Sequence, residues 1–313
     1  MKKHFKSVML GAALCLGTAL AAPATLAEGL YAPNLSYRTG PFAATGIPLM
    51  NGQRDYIMML NERDGGVNGV LLDYDECETG YSTEKGVECY EKTKSKAIVT
   101  QPWSTGITLQ VLPKTNVDKV PILAPGYGFS PMANGKVFQW AFNPPASYWD
   151  GASMMLNYVS EGDLGSLKGK KIALLHLDHP YGKEPIPLFE QMAAEHGFEF
   201  LPIPVGLKEM QNQSAQWLQI RREKPDYVFM WGWGAMNAGA ISEAVKTRYP
   251  MDQFIGIWWS GHDGDLNTVG EKGKGYKSIS WSVPVPDAPV MADIKKHVID
   301  PGNSLLENPD DMN

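Results

Sequence analysis

The 313-residue sequence predicts an α/β protein of two doubly wound lobes, and three observations carry that expectation. Short apolar or β-branched runs alternate with helix-like segments, the pattern of βαβ units on a parallel sheet. The alternation comes as two series, divided by the Pro-containing stretch "FNPPASYWDG" and followed by another, "SVPVPDAP". Such stretches suit passages between lobes, because proline holds itself and the residue before it in extended conformations.

In the first series, residues 70–76 ("VLLDYDE"), 97–101 ("AIVTQ") and 120–126 ("VPILAPG") have the character of strands. Between them "NGQRDYIMMLNERDGG" reads as a helix stopped by Gly65 and Gly66, and Ser82 is placed to cap a helix through "TEKGVECYEK". Ser104 can cap a third helix, which Pro113 is expected to kink or shorten. The second series opens with a helix over 152–158 and a strand in "KKIALLHLD". It continues with helix "LFEQMAAEHG", strand "FEFLPIPV", helix "SAQWLQIRREKP", strand "DYVFMWGW" and helix "NAGAISEAVKTRYP". "FIGIWW" and "KGYKSISWSV" supply its last strands. If Trp258 and Trp259 lie on a strand they point to opposite faces, so only one serves a given surface.

The chain is 43% hydrophobic and 20% charged with a net charge of −6, an ordinary globular balance. With no basic block in the body of the chain, that acidic surface repels phosphate backbones and excludes nucleic acid as a partner. The N-terminus differs: basic "MKKHFK", apolar "SVMLGAALCLGTALAA" and small residues at Thr25 and Ala27 predict a signal peptide over 1–27 and a periplasmic destination. Leu14 is not the small residue an anchored lipoprotein carries before its cysteine, so Cys15 is expected to leave with the leader. Cys77 and Cys89 then form an even pair in an oxidising compartment, and a disulfide is expected. Two cysteines without a nearby histidine do not make a zinc set. No other segment approaches the roughly 20 apolar residues of a membrane span, so no stable membrane insertion is expected after leader cleavage.

No enzyme is expected. His176, Asp178, His179, His262, Asp263 and Asp265 match no catalytic or metal-binding spacing, and "HDGD" reads as an Asp/Gly turn. No catalytic residue, metal or cofactor is therefore assigned. In doubly wound sheets ligands sit beyond the carboxyl ends of the strands, and here those ends are aromatic. Trp103, Tyr127, Tyr181, Trp231 with Trp233, and Trp258 with Trp259 each follow or end a predicted strand. Five such ends at one edge point to a cleft with aromatic walls.

The segments "SYRTGPFAATG", "NERDGGVNGV", "DYDECETG", "HPYGKEP" and "DYVFMWGWG" resemble the type I periplasmic binding proteins of the leucine/isoleucine/valine-binding class, the solute receptors of ABC importers. The resemblance runs from about residue 30 to the end. It implies two Rossmann-like lobes joined by three crossovers and closing on a small-molecule ligand, which is handed to the importer's permease. Lobe 1 would be 28–142 plus 283–313 and lobe 2 143–282; only two crossovers are visible, so the chain reads as C-terminally truncated.

The resemblance also implies ligand contacts. Ser104 and Thr105, next to Trp103, fall where the family has a Ser/Thr turn at a helix start that holds the ligand carboxylate. Gly126, Tyr127 and Gly128 match a second contact segment, Tyr181 the cleft tyrosine and Trp231 a hinge-facing aromatic. Amino-acid binders place a carboxylate against the ligand ammonium, and "GIWWSG" puts Trp258 in that register. Either Asp263 or Asp265 replaces it, or the ligand has no ammonium; the second is preferred, with Trp258 as cleft wall and Trp259 packed behind. The expected function is capture of a small apolar or aromatic carboxylate-type solute for an ABC importer. A branched-chain amino acid receptor and a ligand-sensing receptor domain are the alternatives.

Overall fold

A computed structural model describes residues 29–281 and 287–306. The predicted leader with Cys15, and most of the second Pro-containing passage, lie outside the described residues. β1 (Leu30–Asn34) pairs in parallel with β2 (Leu72–Glu76), and α1 (Ala43–Asp64) connects them. α1 begins well before the predicted helix and runs through Pro48, which is exposed, so the carbonyl it frees faces water. It ends as expected at Gly65, whose φ of 68° is the left-handed conformation glycine adopts without a Cβ penalty.

α2 (Thr83–Thr93) and α3 (Thr105–Asp118) begin at the predicted caps: Ser82 accepts from Lys85 N and Ser104 from Ile107 N. Pro113 does not shorten α3, which continues past it for the same reason as α1: the proline lies on the solvent face. Cys77 and Cys89 are joined in a disulfide, tying the chain just after β2 to α2 across a Cα separation of 5.7 Å. β3 (Ile122–Leu123) pairs in parallel with β4 (Ala141–Phe142). The segment 97–101, predicted as a strand, is a thinner connection. It joins the two small sheets through single parallel bridges, Asn34 to Gln101 and Thr100 to Ile122.

The second lobe is more regular. After α4 (Tyr148–Val159) come β5 (Lys171–Leu177), α5 (Pro180–Lys183), α6 (Ile186–His196), β6 (Glu199–Val205), α7 (Ser214–Glu223), β7 (Tyr227–Trp231), α8 (Ala235–Thr247), β8 (Phe254–Gly256) and β9 (Lys277–Ser278). The strands form one parallel sheet in the order β6-β5-β7-β8-β9. Six of the seven residues of β5 are fully buried, as a strand covered by helices on both faces requires. The last described helix, α9 (Pro289–Ile294), and the turn after it return to the first lobe, where Ile294, Val298 and Ile299 pack on Met59 of α1.

One element departs from expectation in a way that matters for the site. β8 stops at Gly256, and Trp258–Ser260 form a turn of 3-10 helix rather than the end of a strand. Strand alternation therefore does not decide where Trp258 and Trp259 point.

Candidate functional site

Where the carboxyl ends of the two sheets face each other, the chain encloses a cavity of about 20 Å³. Its walls are Tyr37, Leu49, Tyr81, Trp103, Ser104, Thr105 and Tyr127 from the first lobe, with Tyr148, Tyr181, Trp233 and Trp259 from the second. That volume accommodates about one water molecule.

Each wall is held by its own hydrogen bonds. Trp103 has a left-handed backbone (φ 47°), unusual for a bulky residue. Its N–H donates to the Tyr127 hydroxyl (2.8 Å), its indole N–H to Gln53 Oε1 (3.0 Å), and its ring stacks on Tyr127 at 5.3 Å. Tyr127 in turn donates to Leu123 O (3.2 Å). Ser104 caps α3 and is hydrogen-bonded by Tyr81. Beside it the Thr105 hydroxyl is buried without a partner. From the other lobe Tyr181 donates to Gly232 O (2.9 Å).

The lining carries no carboxylate, lysine or arginine. Burial pushes the hydroxyls of Tyr37, Tyr81, Tyr127, Tyr148 and Tyr181 above their ordinary value, so all five are neutral donors. His179, 5.3 Å from Tyr81 ring to ring, is lowered by burial to about 4 and is neutral as well.

Of the residues singled out in sequence, Trp103, Ser104, Thr105, Tyr127 and Tyr181 meet around the cavity, while Gly126, Gly128, Trp231 and Trp258 do not line it. Trp231 ends β7 inside the core, against Tyr148 (5.8 Å) and Phe189 (6.2 Å). Two residues later, beyond the strand, Trp233 reaches the cavity instead. Gly128 (φ 100°) sits against Ala124 and Asn143. Gly126 (φ 66°) offers its carbonyl to both neighbouring tryptophans, at 2.8 Å from Trp258 Nε1 and 3.0 Å from Trp259 Nε1. The two indoles thereby lie on the same side of the chain. Trp259 reaches the cavity wall, and Trp258 stacks on Tyr148 (5.8 Å) and tilts against Trp281 (4.4 Å). This reverses the assignment made from alternation, because the 3-10 turn and the shared acceptor replace the strand. Tyr37, Tyr81 and Tyr148 have no signal at a strand end; they enter from loops and the first position of α4.

A second contact joins the lobes beside the cavity. Ser130 N–H donates to Glu184 Oε1 (2.7 Å), and Trp149 donates from its indole to Glu184 O (3.3 Å) and from its backbone to Ser130 Oγ (3.1 Å). Glu184 Oε2 is buried without a partner, and burial raises this carboxyl from its ordinary 4.5 to about 7.

The profile of a family described as periplasmic binding protein matches residues 30–296. The chain belongs to this family. Proteins of the family are extracytoplasmic, non-enzymatic receptors that bind small molecules and deliver them to the permeases of ABC transporters. Among solved structures, one from the Pseudomonas fluorescens group described as an ABC transporter permease is similar over 91% of this chain and 70% of its own, at 34% identity and a TM-score of 0.80. A branched-chain amino acid ABC transporter protein from Thermus thermophilus with bound valine shares 20% identity over 86% of this chain and 70% of its own (TM-score 0.75). An ABC transporter solute-binding protein from R. palustris in complex with benzoate shares 16% over 86% and 74% (TM-score 0.70). No curated protein matches this periplasmic binding protein. Among the described residues no helix is long and apolar enough to cross a membrane, and no three acidic, His or Cys side chains group as metal ligands.

Proposed function

We propose that this protein is a periplasmic receptor, exported by its N-terminal leader, that captures a small apolar or aromatic carboxylate-type solute between its lobes for an ABC importer. The observation that carries the reading is the cavity lining: an aromatic cage with neutral hydroxyls, the N-terminus of α3, and no carboxylate side chain. A ligand carboxylate placed there would gain the Thr105 hydroxyl, which lacks a partner, and the partial positive charge of the helix end. An α-ammonium would find no counter-ion and would be costly to bury. The benzoate held by the R. palustris protein has the chemistry this lining suits. Benzoate is far larger than the present cavity, so loading requires the facing walls to part, and the lobes are divided for this purpose at 142/143 and 282/283.

Tryptophan fluorescence titration of the purified protein with benzoate, dihydroxybenzoates, leucine, isoleucine and valine tests the proposal. Saturable binding of the aryl carboxylates supports it. Tight leucine or valine binding with no response to aryl acids overturns it in favour of the amino-acid reading.

A further inference from the structure

Leu49, Trp233 and Trp259 each have a second side. Across them from the inner cavity lies an outer chamber of about 380 Å³, within the usual range for small-molecule sites. The start of α1 forms one wall and the turn 261–265 the other. Its charged lining is acidic, with Asp263 and Asp265 present beside His262 and no lysine or arginine. Three indoles face it: Trp233, Trp258 and Trp259, the first and last meeting edge to face at 5.4 Å.

Asp265 is held in place. Its Oδ2 accepts from Asn237 Nδ2 (3.0 Å), and the same amide donates to Trp259 O (3.0 Å), so carboxylate and indole are positioned by one buried side chain. No ion pair among the described residues includes Asp263 or Asp265. Burial raises the Asp265 carboxyl, as expected of a carboxylate without a cationic neighbour.

We infer that the outer chamber is a separate subsite for an organic ammonium cation, held by the Asp265 carboxylate and the faces of Trp233, Trp258 and Trp259. A cation suits both kinds of wall, because indole faces carry the negative part of the ring quadrupole and a half-buried carboxylate gains from pairing. An anion meets repulsion from two aspartates. A hard metal ion would need six or more oxygen ligands, which indole walls do not supply. The inference goes beyond the proposed function and does not depend on what the inner cavity holds.

The test is isothermal titration of the wild-type protein, at constant ionic strength, with choline chloride and with its uncharged isostere 3,3-dimethylbutan-1-ol. Choline is expected to bind at millimolar concentrations or below and the alcohol at least tenfold more weakly. Asp265→Asn, which keeps an acceptor for Asn237, should weaken choline roughly tenfold or more with an unchanged melting temperature, and Trp258→Leu should weaken it several-fold. A benzoate titration of Asp265→Asn reports separately on the inner cavity. No choline binding, equal binding of the alcohol, or unchanged choline affinity in a folded Asp265→Asn overturns the inference; a failure of benzoate to bind overturns only the proposed function.

Discussion

Glu184 makes the stability of the protein depend on pH in a direction that can be worked out in advance. In the folded chain its carboxyl is raised by burial to about 7, against an ordinary 4.5. The folded state therefore holds a proton that the unfolded state releases between those values. The stabilisation from this group is complete below pH 4.5, falls as pH rises toward 7 and is constant above; the total is about 3 kcal/mol. Glu184→Gln removes the titration and keeps an acceptor for Ser130 N–H. Other carboxylates pull the opposite way: Glu76, although partly buried, is held below its ordinary value by Arg38 and Tyr74. These contributions cancel when variant and wild type are compared at each pH. Urea unfolding from pH 4.5 to 7.5 should show Glu184→Gln gaining on wild type by up to about 3 kcal/mol across the range. Parallel stability curves would refute the reasoning and mean that the carboxylate stays ionised or reaches water.

Three further outcomes are expected. Gly126→Ala should cost on the order of 1–3 kcal/mol in chemical unfolding, because φ is 66° and an added Cβ would lie 2.1 Å from the Trp281 ring. Mass spectrometry of non-reduced protein should show two hydrogens missing at Cys77 and Cys89, and replacing both by serine should lower stability by about 3 kcal/mol for a loop closed across a separation of 12 residues. Trp259→Ala should reduce affinity for an inner-cavity ligand more than Trp258→Ala does, read by titration calorimetry. The reverse order would restore the assignment based on strand alternation.

The two βα series, the caps at Ser82 and Ser104, and the aromatic character of the strand ends were legible in the sequence. Each depends on residues close together in the chain: a periodicity, or a serine three positions before an N–H it can accept. The paired cysteines were readable from their number and the export signal. Proline was the local signal that misled, at Pro48 and Pro113, because its cost in a helix depends on whether the freed carbonyl meets water, and that depends on which face the rest of the fold covers. The cavity was legible only in part. Trp103, Ser104, Thr105, Tyr127 and Tyr181 could be named from strand ends and the family likeness, whereas Tyr37, Tyr81 and Tyr148 reach it only through the paths of loops. Trp231 and Trp233 both stand near the end of β7, and the turn after the strand decides that the second faces the ligand side. The tryptophan pair shows the limit most directly. Which of Trp258 and Trp259 reaches the cavity is set by the carbonyl of Gly126, 132 and 133 residues away in sequence, and an acceptor at that distance becomes a neighbour only when the lobes are assembled.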